Sequence, residues 1–151
     1  QTSINCLVDP YEKAVIPKTY IQNSDERLRV YGFVEEMSKK GSFKEIKRNL
    51  KDRFGPLPIE VKGLIKSMRI KKLGANLNID KITIRKDALK FVFFKAKSEK
   101  EKNNTFGLLL KLFDEKNHKY SIIEKNNQII LKVLGYLNLE KTLNLLKKTS
   151  N

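Results

Sequence analysis

A single cysteine and a single histidine among 151 residues remove most covalent and metal chemistry at the outset. Cys6 has no partner for an internal disulfide, and Cys6 with His118 does not make the Cys/His cluster that a zinc site needs. The setting this implies is a reducing cytoplasm. A nucleophilic cysteine would require a positioned base. Cys6 instead falls in an apolar alternation that reads as a buried strand, and His118 in a Lys/Asn-rich turn. No glycine-rich loop ends in Lys-Ser or Lys-Thr, and no G-x-G-x-x-G opens a helix, so no nucleotide or other cofactor is expected. Adjacent carboxylates such as Glu35 and Glu36 point along different directions of a helix and assemble no acid/base pair. No apolar run approaches the roughly 18 residues that span a bilayer, so no membrane segment is expected. Gln1-Thr2-Ser3-Ile4-Asn5 shows neither a starting methionine nor a signal core, and the chain reads as a piece cut from a longer polypeptide.

Arginine is scarce as well. The net charge is +15, yet 26 of the 32 basic residues are Lys and 6 are Arg, accompanied by 13 Asn and 14 Ile. That joint excess is what an AT-rich genome produces throughout its proteome, whereas specific nucleic-acid contact favours arginine forks. The charge is read first as solvated surface.

What is present is a patterned α+β chain, expected to form one domain over residues 1–151: a strand and extended entry over 1–23, a helical part over 24–78 and a β-β-α-β-β-α part over 79–151. Ile4, Cys6 and Val8 alternate as a first short strand ending at Asp9-Pro10. Ala14 to Pro17 is an extended approach, anchored by Tyr20 and Ile21. Asn23 or Ser24 caps a helix from about Asp25 to Lys39, with Val30, Phe33, Val34 and Met37 on one side and Leu28 and Tyr31 on the other. Pro58 opens a third helix with a stripe of Val61, Leu64, Ile65, Met68 and Ala75, closed by Asn78. From Ile79 the period becomes two. Ile79–Ile84 and Leu89–Phe94 flank a Lys86-Asp87 turn, and Tyr120–Ile123 and Gln128–Leu134 flank the Asn126-Asn127 hairpin signal. Helices are expected over Thr105–Asn117 and from Asn138 to about Lys148. The result is a small, mainly antiparallel sheet covered by helices. Burial against those helices explains Phe91, Phe93 and Phe94 better than base stacking does.

The segment from Ser42 to Pro58 states a helix with both ends. Ser42 with Glu45 has the spacing of a capping box, and Gly55-Pro56 terminates the helix. Phe43, Ile46, Leu50 and Phe54 form one apolar stripe, beside which Glu45, Asn49, Asp52 and Arg53 project within a contiguous sector. Asp52 is anomalous. A carboxylate in the last turn meets the negative end of the macrodipole, unfavourable by a few tenths of a kcal/mol up to about 1.

Ile16-Pro17-x-x-Tyr20-Ile21, Arg27-Leu28-x-x-Tyr31 and Asp52-Arg53-Phe54-Gly55-Pro56-Leu57-Pro58, in that order, resemble the C-terminal domain (TRCF domain, domain 7) of the bacterial transcription-repair coupling factor family, Mfd. The resemblance covers most of the chain and is strongest from Ile16 to Ile82. Asn78 departs from the Gly usual there, and the Lys-rich linker before the last hairpin is shortened. The resemblance implies a parent that is an ATP-driven duplex-DNA translocase, which removes stalled RNA polymerase and recruits UvrA. It implies for this domain a non-catalytic clamp, packed on the N-terminal UvrB-like module so as to hide the UvrA-binding surface. A modest contact suffices for such a switch. Asp52 and Arg53, with Asn49 and Glu45 beside them, are the residues on which this contact is expected, through paired hydrogen bonds. The purely local alternative pairs Asp52 with Arg48 one turn back and leaves Arg53 to neutralise the helix end.

Two other classes remain open on the residues alone. One is a basic nucleic-acid-binding module using Lys62, Lys66, Lys71, Lys72 and the run from Lys95 to Lys102. The other is a docking domain that uses the helix Asp25–Lys39.

Overall fold

Three helices follow a short strand, and two hairpins, each succeeded by a helix, complete the chain. The structure, a computed structural model, describes residues 5–94 and 99–150, the side chains of 99–103 apart. Its elements are β1 (Leu7–Asp9), α1 (Ser24–Lys39), α2 (Phe43–Phe54), α3 (Ile59–Asn76), β2 (Lys81–Ile84), β3 (Ala88–Phe94), α4 (Glu99–Glu115), β4 (Tyr120–Lys125), β5 (Gln128–Leu134) and α5 (Leu139–Ser150). Both hairpins join one sheet of order β1-β2-β3-β5-β4, in which only β1 and β2 run parallel. The α+β class and the mainly antiparallel sheet expected from the period change are what the chain forms.

The pairing Ile82↔Phe91↔Leu131, with Ile84↔Leu89↔Val133 beside it, sets one row of apolar side chains after another on the same sheet face. Alternate residues of a strand share a face, so a single register decides this for all three strands. Helices cover that face. Phe113 of α4 lies 6.2 Å from Phe91, and Phe106 lies 6.0 Å edge-on to Phe93. Phe91 and Phe93 are thereby buried in the core as expected, while Phe94 stays partly open. Ile70, Leu109, Leu139, Leu143 and Leu146 complete this cluster.

A second cluster is built from Ile16, Ile21, Val30, Val34, Ile46, Leu50, Val61 and Ile65. The long helix α3 belongs to both. Its first half packs on α1 and α2 and its second on the sheet, so its buried residues follow two directions rather than one stripe. Ile70 and the small residues Gly63, Ser67 and Gly74 are therefore buried in place of the stripe continuing through Met68 and Ala75, which are half-buried. The glycines permit this approach: a Cβ on Gly63 would sit 2.4 Å from the carbonyl oxygen of Lys13, and one on Gly74 would sit 2.6 Å from Cys6 Sγ.

Local signals were mostly obeyed. Asn23 caps α1, its side chain accepting a hydrogen bond from Glu26 N at 2.8 Å. Asn126 and Asn127 adopt φ of 50° and 63°, the left-handed pair that a two-residue hairpin requires, and Asn78 closes α3 at φ 62°. Four expectations were corrected, one of them the start of α4, which begins at Glu99 and not at Thr105. The first strand is shorter and later than the alternation suggested, with Cys6 just outside it; 1–4 lie outside the described residues. Leu28 of α1 stays 70% exposed, so only Tyr31 of the second apolar side is covered. The capping box at Ser42 and Glu45 does not form, because the backbone N–H that Glu45 would reach is already donated, from Ser42 to Met37 O at 2.9 Å.

Candidate interdomain interface on the second helix

The last turn of α2 is held from outside the helix. Tyr20 donates its hydroxyl to two carbonyls there, Leu50 O at 3.0 Å and Gly55 O at 2.8 Å, and its ring lies 5.8 Å from Phe54. Gly55 O lies beyond the last intrahelical donor and Leu50 O accepts a second bond beside its helical one, so a phenol supplied by a distant loop ties the end of the helix down as a cap does. Burial pushes the Tyr20 phenol above its ordinary pKa, which keeps it a donor. Tyr20 is placed in turn by its own segment. Tyr31 accepts from Ile16 N at 2.8 Å, and Arg27 donates to Ile21 O and Gln22 O at 3.0 and 3.2 Å. The three separated stretches Ile16–Ile21, Arg27–Tyr31 and Asp52–Pro58 are thus one physical unit.

Upon this support stand the four residues expected at the contact. Glu45 pairs with Arg48, one turn on. Arg53 donates weakly to Asn49 Oδ1 at 3.4 Å, lies 3.9 Å from Glu26 Oε2 of α1, and spreads over the Phe54 ring at 4.8 Å. Asp52 is exposed and makes no ion pair or side-chain hydrogen bond with another described residue. The local alternative, Asp52 with Arg48, is not formed, because Arg48 turns to Glu45. Asn49 and Arg53 gather toward α1, with Asp52 and Glu45 on the outward face. Glu26, which the sequence reading did not include, completes the edge; its position on a different helix left no local signal.

The expected nucleic-acid set is divided. Lys62 and Lys66 share a groove, and Lys66 Nζ pairs with Glu140 at 3.0 Å, holding that carboxyl below its usual pKa. Lys72 Nζ donates to Lys39 O at 2.7 Å, capping the end of α1. Lys71 lies about 180° around the helix from Lys62, at about 100° per residue. Of the Lys95–Lys102 run, 95–98 lie outside the described residues, as do the side chains of 99–102. Lys47, Lys51, Arg69 and Lys147 line the Lys62 groove and were missed; on α2 the signal was legible, since Lys44, Lys47 and Lys51 recur at helical spacing.

Among the described residues no group of three or more His, Cys, Asp or Glu is arranged to hold a metal ion, and no helix is long and apolar enough to cross a membrane.

The TRCF domain family model matches residues 12–104, more than half of the chain. The chain belongs to the TRCF domain family. The transcription-repair-coupling factor of Rickettsia prowazekii (strain Madrid E) is 27% identical over 119 residues, 79% of this chain and 10% of that protein. That of Borreliella burgdorferi is 28% identical over 78 residues, 52% of this chain and 7% of that protein. The chain thus spans about a tenth or less of the curated relatives it matches. A crystal structure of the C-terminal domain of transcription-repair coupling factor superposes with a TM-score of 0.74 at 19% identity, covering 99% of this chain and 96% of that one. The TRCF domain fold therefore extends past residue 104 into the second hairpin and α5.

Proposed function

We propose that this TRCF domain is a non-catalytic, C-terminal regulatory domain of a cytoplasmic transcription-repair coupling factor. In this reading it docks on the UvrB-like N-terminal module of the same polypeptide and masks the surface that recruits UvrA. Engagement of RNA polymerase and duplex DNA by the ATP-driven motor of the parent shifts the balance toward the open form. The observation that carries the reading is Asp52: a carboxylate at the unfavourable end of a helix, exposed and in no ion pair among the described residues, although Arg48 and Arg53 are close in sequence. A partner surface bearing a donor pair would satisfy Asp52, while Arg53, Asn49 and Glu45 supply the complementary groups beside it.

The test is a double charge reversal, Asp52→Arg with Arg53→Asp. Association of the chain with the N-terminal module, measured by calorimetry, is expected to weaken at least about tenfold, the scale of one lost charge-assisted bond. UvrA recruitment by the intact parent should rise in step. If association and recruitment both stay at their starting values, the clamp assignment is wrong.

A further inference from the structure

The groove between α2, α3 and α5 encloses about 470 Å³ and is lined by eleven residues, of which Lys47, Lys51, Lys62, Lys66, Arg69 and Lys147 are basic and Glu140 alone is acidic. Genome composition raises lysine everywhere, but 32 basic residues in 151 would put about two in such a lining, and this one holds six. Three different helices converge to produce it. Glu140 neutralises Lys66, and its carboxyl is held low by Lys66 first and by Lys147 and Arg69 as well. Five cations remain without a carboxylate in the lining. Lys47 and Lys51 are one turn apart on α2, a like-charge spacing that destabilises the free helix. Arg69 is held with its guanidinium 5.5 Å from the Phe43 ring, which fixes the direction of its fork.

The geometry points to a binding site for the phosphodiester backbone of a nucleic acid in this groove. The lining decides between a phosphate chain and an acidic protein segment. Of its four apolar lining residues Ile65 and Leu143 are 1% and 2% exposed, which leaves Pro56 and Leu57 as the accessible apolar surface, without the aromatic anchor cluster that carries most protein interfaces. What the groove presents is ammonium groups on flexible stems, point charges that accommodate phosphate oxygens without demanding planar geometry. No aromatic residue lines it, so the contact reads backbone charge rather than bases. Lys47 and Lys51 lie on one flank of α2 and Asn49 and Arg53 on the other, with Asp52 adjoining Lys47 and Lys51. The two readings are told apart by their readouts, DNA affinity for this groove and association with the N-terminal module for the Asp52 contact.

The experiment titrates the 151-residue chain into a labelled duplex DNA of about 20 base pairs by anisotropy, from roughly 50 to 250 mM salt. With four or five phosphates neutralised, log K against log salt is expected to slope at about −4. Glutamine at Lys47, Lys51 and Lys62 together should flatten the slope by about 3 and lower affinity at least about tenfold. The single variants Lys51→Gln and Lys62→Gln should each flatten it by about 1, which keeps the test decisive should the triple variant be misfolded. The same charge change placed elsewhere, at exposed Lys86, Lys111 and Lys125, should leave affinity within about threefold. Equal loss in both sets would show diffuse attraction by net charge and overturn the site. Absence of DNA binding by the unaltered chain would overturn it, as would tighter binding of a polyglutamate of equal charge than of the duplex.

Discussion

Replacing Tyr20 with Phe removes one oxygen from the support of α2 and leaves the ring in place. In the folded chain that hydroxyl divides its proton between Leu50 O and Gly55 O, at 3.0 and 2.8 Å. A neutral hydrogen bond contributes about 0.5–1.5 kcal/mol net, and a carbonyl left in a partly buried position adds part of its desolvation cost. Gly55 is only half-buried, so water recovers some of that loss. The expected destabilisation is therefore about 1–2 kcal/mol. For a chain of 151 residues this lowers Tm by about 3–6 °C. Urea denaturation followed by circular dichroism should show a lower midpoint at unchanged m, since the surface exposed on unfolding is the same. Amide exchange should quicken in the last turn of α2 before it does in the sheet, because that turn loses its external cap. A destabilisation below about 0.3 kcal/mol, or uniform exchange changes along α2, would refute the idea that Tyr20 holds this turn.

Other substitutions probe the remaining contacts. Tyr31→Phe takes the acceptor from a backbone N–H on the buried Ile16 and should cost about 1–3 kcal/mol in the same urea assay. Gly63→Ala should destabilise by about 1–3 kcal/mol despite the better helix propensity of Ala, because its Cβ meets the Lys13 carbonyl and backbone must move. Asn127→Val forces a β-branched residue to positive φ and should cost about 1–2 kcal/mol, whereas Asn127→Gly should not destabilise. The Arg85 guanidinium, 2.6 Å from Asp9, holds that carboxyl below its usual 3.8. A depressed folded pKa means stability present above the unfolded value and lost as pH falls through the folded one. Unaltered chain and Asp9→Asn should therefore differ slightly near neutrality and converge as the pH falls below 3.8 and through the folded pKa; the half-exposed pair keeps the difference small.

Elements whose periodicity is local were legible residue by residue. The α2 stripe of Phe43, Ile46, Leu50 and Phe54, the Asn126-Asn127 turn and the Asn23 cap depend on neighbours within a few positions, and each took the conformation that its pattern dictates. The second half of α3 was less legible because two cores share that helix: Ile70 and Gly74 answer to the sheet and Cys6, whereas Val61 and Ile65 answer to α1 and α2. The capping box at Ser42 failed for a related reason. Its donor was claimed by Met37, a residue of the preceding helix, and sequence spacing alone does not register competition for one N–H.

The candidate contact was readable in outline. Asp52 stood out because a carboxylate at a helix C-terminus opposes the macrodipole, an energy set by the helix itself. Whether Arg48 would neutralise it depended on Glu45, which lies within reach on the other side of Arg48 and took the pair.

The sequence by itself determined the order and type of the helices and strands, most of the turns, and to which family the motif set points, since backbone preference and apolar period are properties of short stretches. Only the tertiary structure decided that Tyr20 caps a helix thirty residues away, that Glu26 stands beside Arg53, and that lysines from three helices concentrate in one groove. Hydrogen bonds and charges act over a few ångströms in space, and chain separation carries no information about that distance until the helices are packed.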